Sequence, residues 1–179
     1  TAIVKPDEMT LAYTGPLACL ELDPVCSDDD AEFAAVHDID ISDLAPIVVV
    51  PPNPSNTEDL TDHLGLEVHT GYLGSCASGR LEDLRAAAQV LKGRKIKEGF
   101  ALHVIPTSNV IMARAAEEGL ITILADAGAF ISSSSCDYCF GRIATMSAGQ
   151  RAVSTGTLNV RGRMGSPDSE IYICNAAAV

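Results

Sequence analysis

Residues 67–106, EVHTGYLGSCASGRLEDLRAAAQVLKGRKIKEGFALHVIP, decide the fold. Glu67 to Leu73 reads as a strand that Gly74 ends. Leu81, Leu84, Ala88 and Leu91 recur at helical spacing, which predicts a helix from Arg80 to Lys92. Phe100 to Ile105 is a second strand, closed by Pro106, which has no N–H to give a ladder. Strand, helix and strand at this spacing make one parallel βαβ unit.

The pattern continues on both sides. Ile47–Val50 is a short apolar strand stopped by Pro51-Pro52, and Asn53-Pro54-Ser55-Asn56 is turn chemistry. Thr57, with Glu58 and Asp59 behind it, predicts the start of a short helix. Ser108–Glu118 reads as a helix capped by Gly119, and Leu120–Ala127 fits helix or strand equally. Ala129–Ser132, Ala152–Thr155 and Glu170–Cys174 are the remaining strands of the core. Upstream, Asp38–Ser42 alternates as an edge strand would, and Ser27-Asp28-Asp29-Asp30 is a solvated loop or helix start. The expectation is an α/β protein, a three-layer α/β/α sandwich on a mostly parallel sheet. An acidic segment over residues 1–35 precedes a domain over 36–179.

Composition narrows the function. The chain is 47% hydrophobic but only 4% aromatic, without Trp, so its core is aliphatic. A formal charge of −12 and a pI near 4.5 repel phosphate backbones and anionic lipid, which argues against nucleic-acid and membrane partners. No apolar run reaches the roughly 18 residues of a bilayer span. TAIVKPDEMT lacks the pattern of a signal peptide, so a cytoplasmic location is expected. The opening Thr and the closing NAAAV are the ends expected of a processed chain or an excised piece.

Six cysteines occur, at 19, 26, 76, 136, 139 and 174, and in a chain of this size without a leader they are expected to be reduced. Cys76 lies in Gly74-Ser75-Cys76-Ala77-Ser78-Gly79-Arg80, between a strand's carboxyl end and a helix start. Ligands of open α/β sheets bind at that edge, and the helix start favours thiolate. Cys136-Asp137-Tyr138-Cys139 follows a strand and four serines, a position that fits a thioredoxin-type dithiol poorly. Structural zinc asks for a fourth ligand. His37, His63, His69 or His103 could supply it, although His69 and His103 fall inside predicted strands, where packing is the commoner role. Three thiolates instead suit a four-iron cluster with one iron free to act as a Lewis acid. A zinc-binding structural module and a metal-free thiol redox protein are the alternatives. Cys19, Cys26 and Cys174 read as packing or surface residues.

Gly74–Arg80 resembles the Gly-Ser-Cys-Thr-Asn-Gly-Arg motif of the aconitase family, and Cys136–Gly141 resembles its Cys-x-x-Cys-Leu/Met-Gly, 60 residues after Cys76. Ser154-Thr155-Gly156-Thr157-Leu158-Asn159-Val160-Arg161-Gly162-Arg163-Met164-Gly165 is similar to Ser-Thr-Ser-Asn-Arg-Asn-Phe-x-Gly-Arg-x-Gly, and Pro51–Asn56 also resembles a family loop. The branch most like this chain is the large subunits of 3-isopropylmalate dehydratase and homoaconitase, and the likeness runs over residues 36–179. It implies the third, α/β/α domain of that family. There Cys76, Cys136 and Cys139 would ligate a [4Fe–4S] cluster whose open iron meets the substrate. The implied reaction is reversible dehydration of a small hydroxy di- or tricarboxylic acid like 3-isopropylmalate, homocitrate or citrate, in amino-acid biosynthesis. It further implies substrate contacts at Arg163, Thr157 and Ser75. The family's catalytic His and Asp lie in two earlier domains, and its serine base in a swivelling domain or small subunit. This sequence has none of them, so the chain is expected to be inactive alone. The family's Asn-Arg pair falls here on Thr157-Leu158, where Leu cannot bind a carboxylate, and Arg161 is the next cation. Ser78 stands where the family has Asn.

Overall fold

The structure, a computed structural model, describes residues 4–179; the first three residues of the acidic segment lie outside the described residues. It divides into two units, Thr1–Asp43 and Leu44–Val179. In the first unit one helix, α1 (Glu8–Thr14), is capped by Asp7, whose carboxylate accepts from the Thr10 N–H at 2.7 Å. A single 3-10 turn, Gly15–Leu17, follows it. The strand expected over Asp38–Ser42 does not form. Asp40 instead folds its carboxylate onto the Ser42 N–H (2.9 Å) and hydroxyl, an Asx turn that competes with extended pairing.

The second unit holds a seven-stranded sheet. Its strands are β1 (Ile47–Val49), β2 (Thr57–Asp59), β3 (Thr70–Gly74), β4 (Ala101–Ile105), β5 (Phe130–Ile131), β6 (Arg151–Ser154) and β7 (Glu170–Ile173). The order is β2-β1-β7-β6-β3-β4-β5. The five strands from β7 to β5 are parallel, and β1 and β2 close one edge antiparallel, so the fold is α/β on a mostly parallel sheet. The helix expected from Thr57 is strand β2, paired Ile47↔Asp59 and Val49↔Thr57, and helix is confined to the 3-10 turn Leu60–His63. The turn that precedes it, closed by Val50 N–H to Asn56 C=O at 2.8 Å, returns the chain beside β1. There a ladder outbids the local helix signal of two acids.

Helices α2 (Leu81–Leu91), α3 (Asn109–Glu117) and α4 (Leu120–Ala127) cover one face. The ambiguous stretch Leu120–Ala127 is helical because Leu120, Leu124 and Ala127 all turn inward at that period. Leu84 and Leu124 are completely buried there against Leu73, Leu102 and Val104. Each such leucine contributes about 2 kcal/mol relative to exposure. On the opposite face Tyr72, Ile105, Ala152 and Ile171 pack against Tyr138, Met146 and Met164, which come from connecting segments. Among the described residues that face is covered by loops, one of which carries Cys136 and Cys139. No helix is long and apolar enough to cross a membrane among the described residues.

Candidate functional site

All parallel strands end at one rim, and the loops leaving β3, β5 and β6 meet there. The β3 loop is forced into its path by two glycines. Gly74 has φ +117°, and a Cβ on it would stand 1.9 Å from the Ile105 carbonyl oxygen; on Gly79 it would stand 2.5 Å from the same atom. The loop therefore lies directly on the end of β4, and only glycine permits that approach. Ser75 N–H donates to the Ile105 carbonyl at 2.9 Å, and Ser75 itself is buried with φ 85°. Gly74 N–H donates to Thr155 Oγ1 at 2.8 Å, and the Ser78 hydroxyl bonds Thr155 Oγ1 as well, tying the β3 loop to the end of β6. Asp83 accepts from the Gly79 and Arg80 N–H groups at 2.9 and 3.1 Å and closes the start of α2.

The second loop is built from consecutive turns. Cys139 N–H reaches the Cys136 carbonyl at 3.1 Å, and Arg142 N–H the Asp137 carbonyl at 2.9 Å. Ser135 Oγ accepts from the Asp137 N–H at 3.0 Å and donates to its carboxylate at 2.7 Å. Tyr138 is the anchor, buried against Tyr72 and His103. These rings extend a cross-strand ladder, Tyr72↔His103↔Phe130, with His103 stacked on both neighbours at 5.1 and 5.3 Å. Gly141 is pressed onto Met164, where a Cβ would fall 2.3 Å from a backbone carbon, so the third loop rests on the second.

These constraints bring Cys76 and Cys136 to a sulfur–sulfur distance of 3.9 Å, although 60 residues separate them. Both are exposed, and Cys139 is half-buried. A Cβ on Gly156 would lie 3.9 Å from Cys139 Sγ, so the β6 loop closes the remaining side. Shielding from water, then the Cys76 and Cys139 thiols beside it, push the Cys136 thiol above its ordinary value, while Arg163 pulls it down. Thiols crowded in this way resist joint ionisation, and a bound cation would relieve that repulsion. Soft sulfur donors from two loops, two of them 3.9 Å apart, are the donor type that iron–sulfur clusters take. Among the described residues no group of three or more His, Cys, Asp or Glu closes tightly enough for a single metal ion.

Arg163 donates from Nη2 to Cys139 Sγ at 3.4 Å, and Ser75 Oγ lies 3.9 Å from Cys76 Sγ. Thr157 and Leu158 are exposed. Arg161 lines a separate groove of about 400 Å³ with Pro51, Pro52, Arg151, Asn159 and Glu170. The histidines are engaged elsewhere. His63 pairs with Glu58 at 2.7 Å, His69 Nδ1 accepts from the Arg151 N–H at 3.1 Å, and His103 lies in the aromatic stack. Phe140 and the Tyr72–His103–Tyr138 stack were not singled out from the sequence. For Tyr72 and His103 the signal was an aromatic or His at the same register of adjacent parallel strands, whereas Tyr138 and Phe140 lie on a loop that offers no such register.

Two expectations follow. Oxidised glutathione should join Cys76 to Cys136, two thiols giving one disulfide and two glutathione thiols. Peptide mapping that finds Cys136–Cys139 in its place contradicts the geometry. Burial holds the His103 imidazole below its ordinary value of 6.5, so the unfolded chain takes up that proton first. The stability it contributes is complete above about pH 6.5 and falls as acid approaches the folded value. Urea unfolding from about pH 7.5 to 5.5 should show a loss that His103→Phe reduces.

A profile described as the aconitase family (aconitate hydratase) matches residues 60–179. A protein of Methanothermobacter thermautotrophicus named probable 3-isopropylmalate dehydratase large subunit is 41% identical over 99% of this chain and 42% of its own length. The 3-isopropylmalate dehydratase large subunit of Syntrophus aciditrophicus is 43% identical over 98% of the chain, and large subunit 1 of Pyrococcus abyssi is 38% identical over 98%. The chain spans 42% of the length of these curated relatives. Cys76, Cys136 and Cys139 all lie within the matched stretch, and the chain belongs to the aconitase family.

Proposed function

We propose that this chain is the cluster-carrying part of a hydro-lyase acting on a small hydroxy di- or tricarboxylic acid. Cys76, Cys136 and Cys139 would hold a [4Fe–4S] cluster through their thiolates. The observation that carries the reading is the 3.9 Å approach of Cys76 to Cys136 across the end of β4, with Cys139 on the same loop. When bound, such a cluster supplies a Lewis-acidic iron for a substrate hydroxyl. The protein's own residues keep the loops in place: Gly74 and Gly79 seat the first cysteine, and Tyr138 anchors the other two. Arg163, Ser75 and Thr157 are the residues on this chain proposed to face substrate. The relatives' longer chains and their name as large subunits support further domains or a small subunit in the working enzyme.

Anaerobic reconstitution with ferrous iron and sulfide tests this. The expected product is brown, with iron and acid-labile sulfide in near-equal amounts. Zinc without sulfide or colour would favour a structural metal module, and a colourless chain with a reversible Cys136–Cys139 disulfide of defined potential would favour redox function. The loaded chain alone is expected to show no hydration of an unsaturated diacid, and measurable turnover would overturn the need for further domains.

A further inference from the structure

We propose that Arg163 is a positioning residue acting through the Cys139 sulfur, and that Phe140 is the platform that aims it; this rests on the cluster reading above. The guanidinium carbon sits 4.0 Å from the Phe140 ring centroid, and Nη2 donates to Cys139 Sγ at 3.4 Å. Its Nε is buried without a partner. The contrast with other arginines is direct. Arg85 is paired with Glu118 at 2.6 Å and Arg151 with Glu170 at 2.7 Å, whereas among the described residues no carboxylate pairs with Arg163. What orients it is a sulfur and an aromatic face.

The backbone behind it is fixed. Met164 is buried and its carbonyl accepts from the Met146 N–H at 2.8 Å, while Gly141 lies against it from the cysteine loop. Phe140 sits between Cys139 and Gly141, so platform and sulfur are on one loop, and Arg163 touches both. A planar guanidinium lies flat on a ring while its edge N–H groups donate, a geometry that a compact lysine ammonium does not reproduce. A cationic N–H on a ligand sulfur draws electron density from it. Hydrogen bonds of this kind set cluster potentials and metal affinity.

The test uses the full chain reconstituted anaerobically, with Arg163→Gln, Arg163→Lys and Phe140→Leu checked for native circular dichroism. Redox titration by electron paramagnetic resonance reads the potential, and chelator challenge reads iron retention. Arg163→Gln should make the potential more negative and weaken retention about tenfold. Arg163→Lys should fall between it and the parent, and Phe140→Leu should shift the potential in the same direction by less. If Arg163→Gln holds too little cluster to titrate, the other two variants decide in the same sense. Parent potentials in cluster-loaded variants overturn the inference and leave the cluster reading standing. A parent chain that binds neither iron nor sulfide overturns both.

Discussion

Replacing any one of Cys76, Cys136 and Cys139 by Ser is expected to abolish retention of iron and acid-labile sulfide after anaerobic reconstitution. A serine hydroxyl is a hard, protonated donor at neutral pH and replaces a soft thiolate poorly. Loss of an outer-shell partner alone costs metal sites about 10–100-fold in affinity, and loss of a ligand should exceed that. The three loops are held mainly by glycine–backbone contacts and hydrogen bonds that do not involve the sulfurs, so the variants should unfold close to the parent's urea midpoint. Cys174→Ser is the control. Burial pushes that thiol up to about 11, and it lines an apolar groove beside Val153 and Tyr172, so cluster content should not change. Undiminished iron and sulfide in any one of the three variants would remove that cysteine from the site.

Gly74→Ala should be the most damaging single change outside the cysteines. Its Cβ would stand 1.9 Å from a backbone oxygen that no rotamer can move, at a φ of +117° that L-residues rarely adopt. A cost on the order of 4 kcal/mol follows, in the tail of point-mutant effects and a large part of a domain's total stability. Gly93 offers the comparison. It also has positive φ, but nothing lies within 4 Å of a Cβ there, so Gly93→Ala should cost only about 1 kcal/mol of backbone strain. Urea midpoints of the two variants separate crowding from conformation. Equal losses would mean that the loop does not rest on β4 as described.

Much of this was legible in the sequence. The βαβ unit over 67–106 was, because α2 buries Leu81, Leu84 and Ala88 at the expected period and Pro106 closes β4 as its chemistry demands. The cysteines were legible because loops at the carboxyl ends of parallel strands share a rim. What failed was local. Thr57–Asp59 carries helix-start residues, yet a ladder formed with β1, a partner that becomes adjacent only once the turn closes. Asp38–Ser42 alternates like a strand, but Asp40 spends its carboxylate on its own backbone. The contact of Arg163 with Cys139 was hidden for a different reason. A motif gives the residue's position, whereas its contact with Cys139 depends on Gly141 seating Met164, a packing fact between segments 23 residues apart.

The division of the sheet's two faces has a consequence for how such a chain changes over generations. Helices α2–α4 sit on one side, and loops, among them the one that carries Cys136 and Cys139, cover the other. Substitutions that preserve volume under the helices leave the rim geometry untouched. Tolerance to substitution in this chain is therefore expected to be sorted by the side of the sheet on which a residue lies.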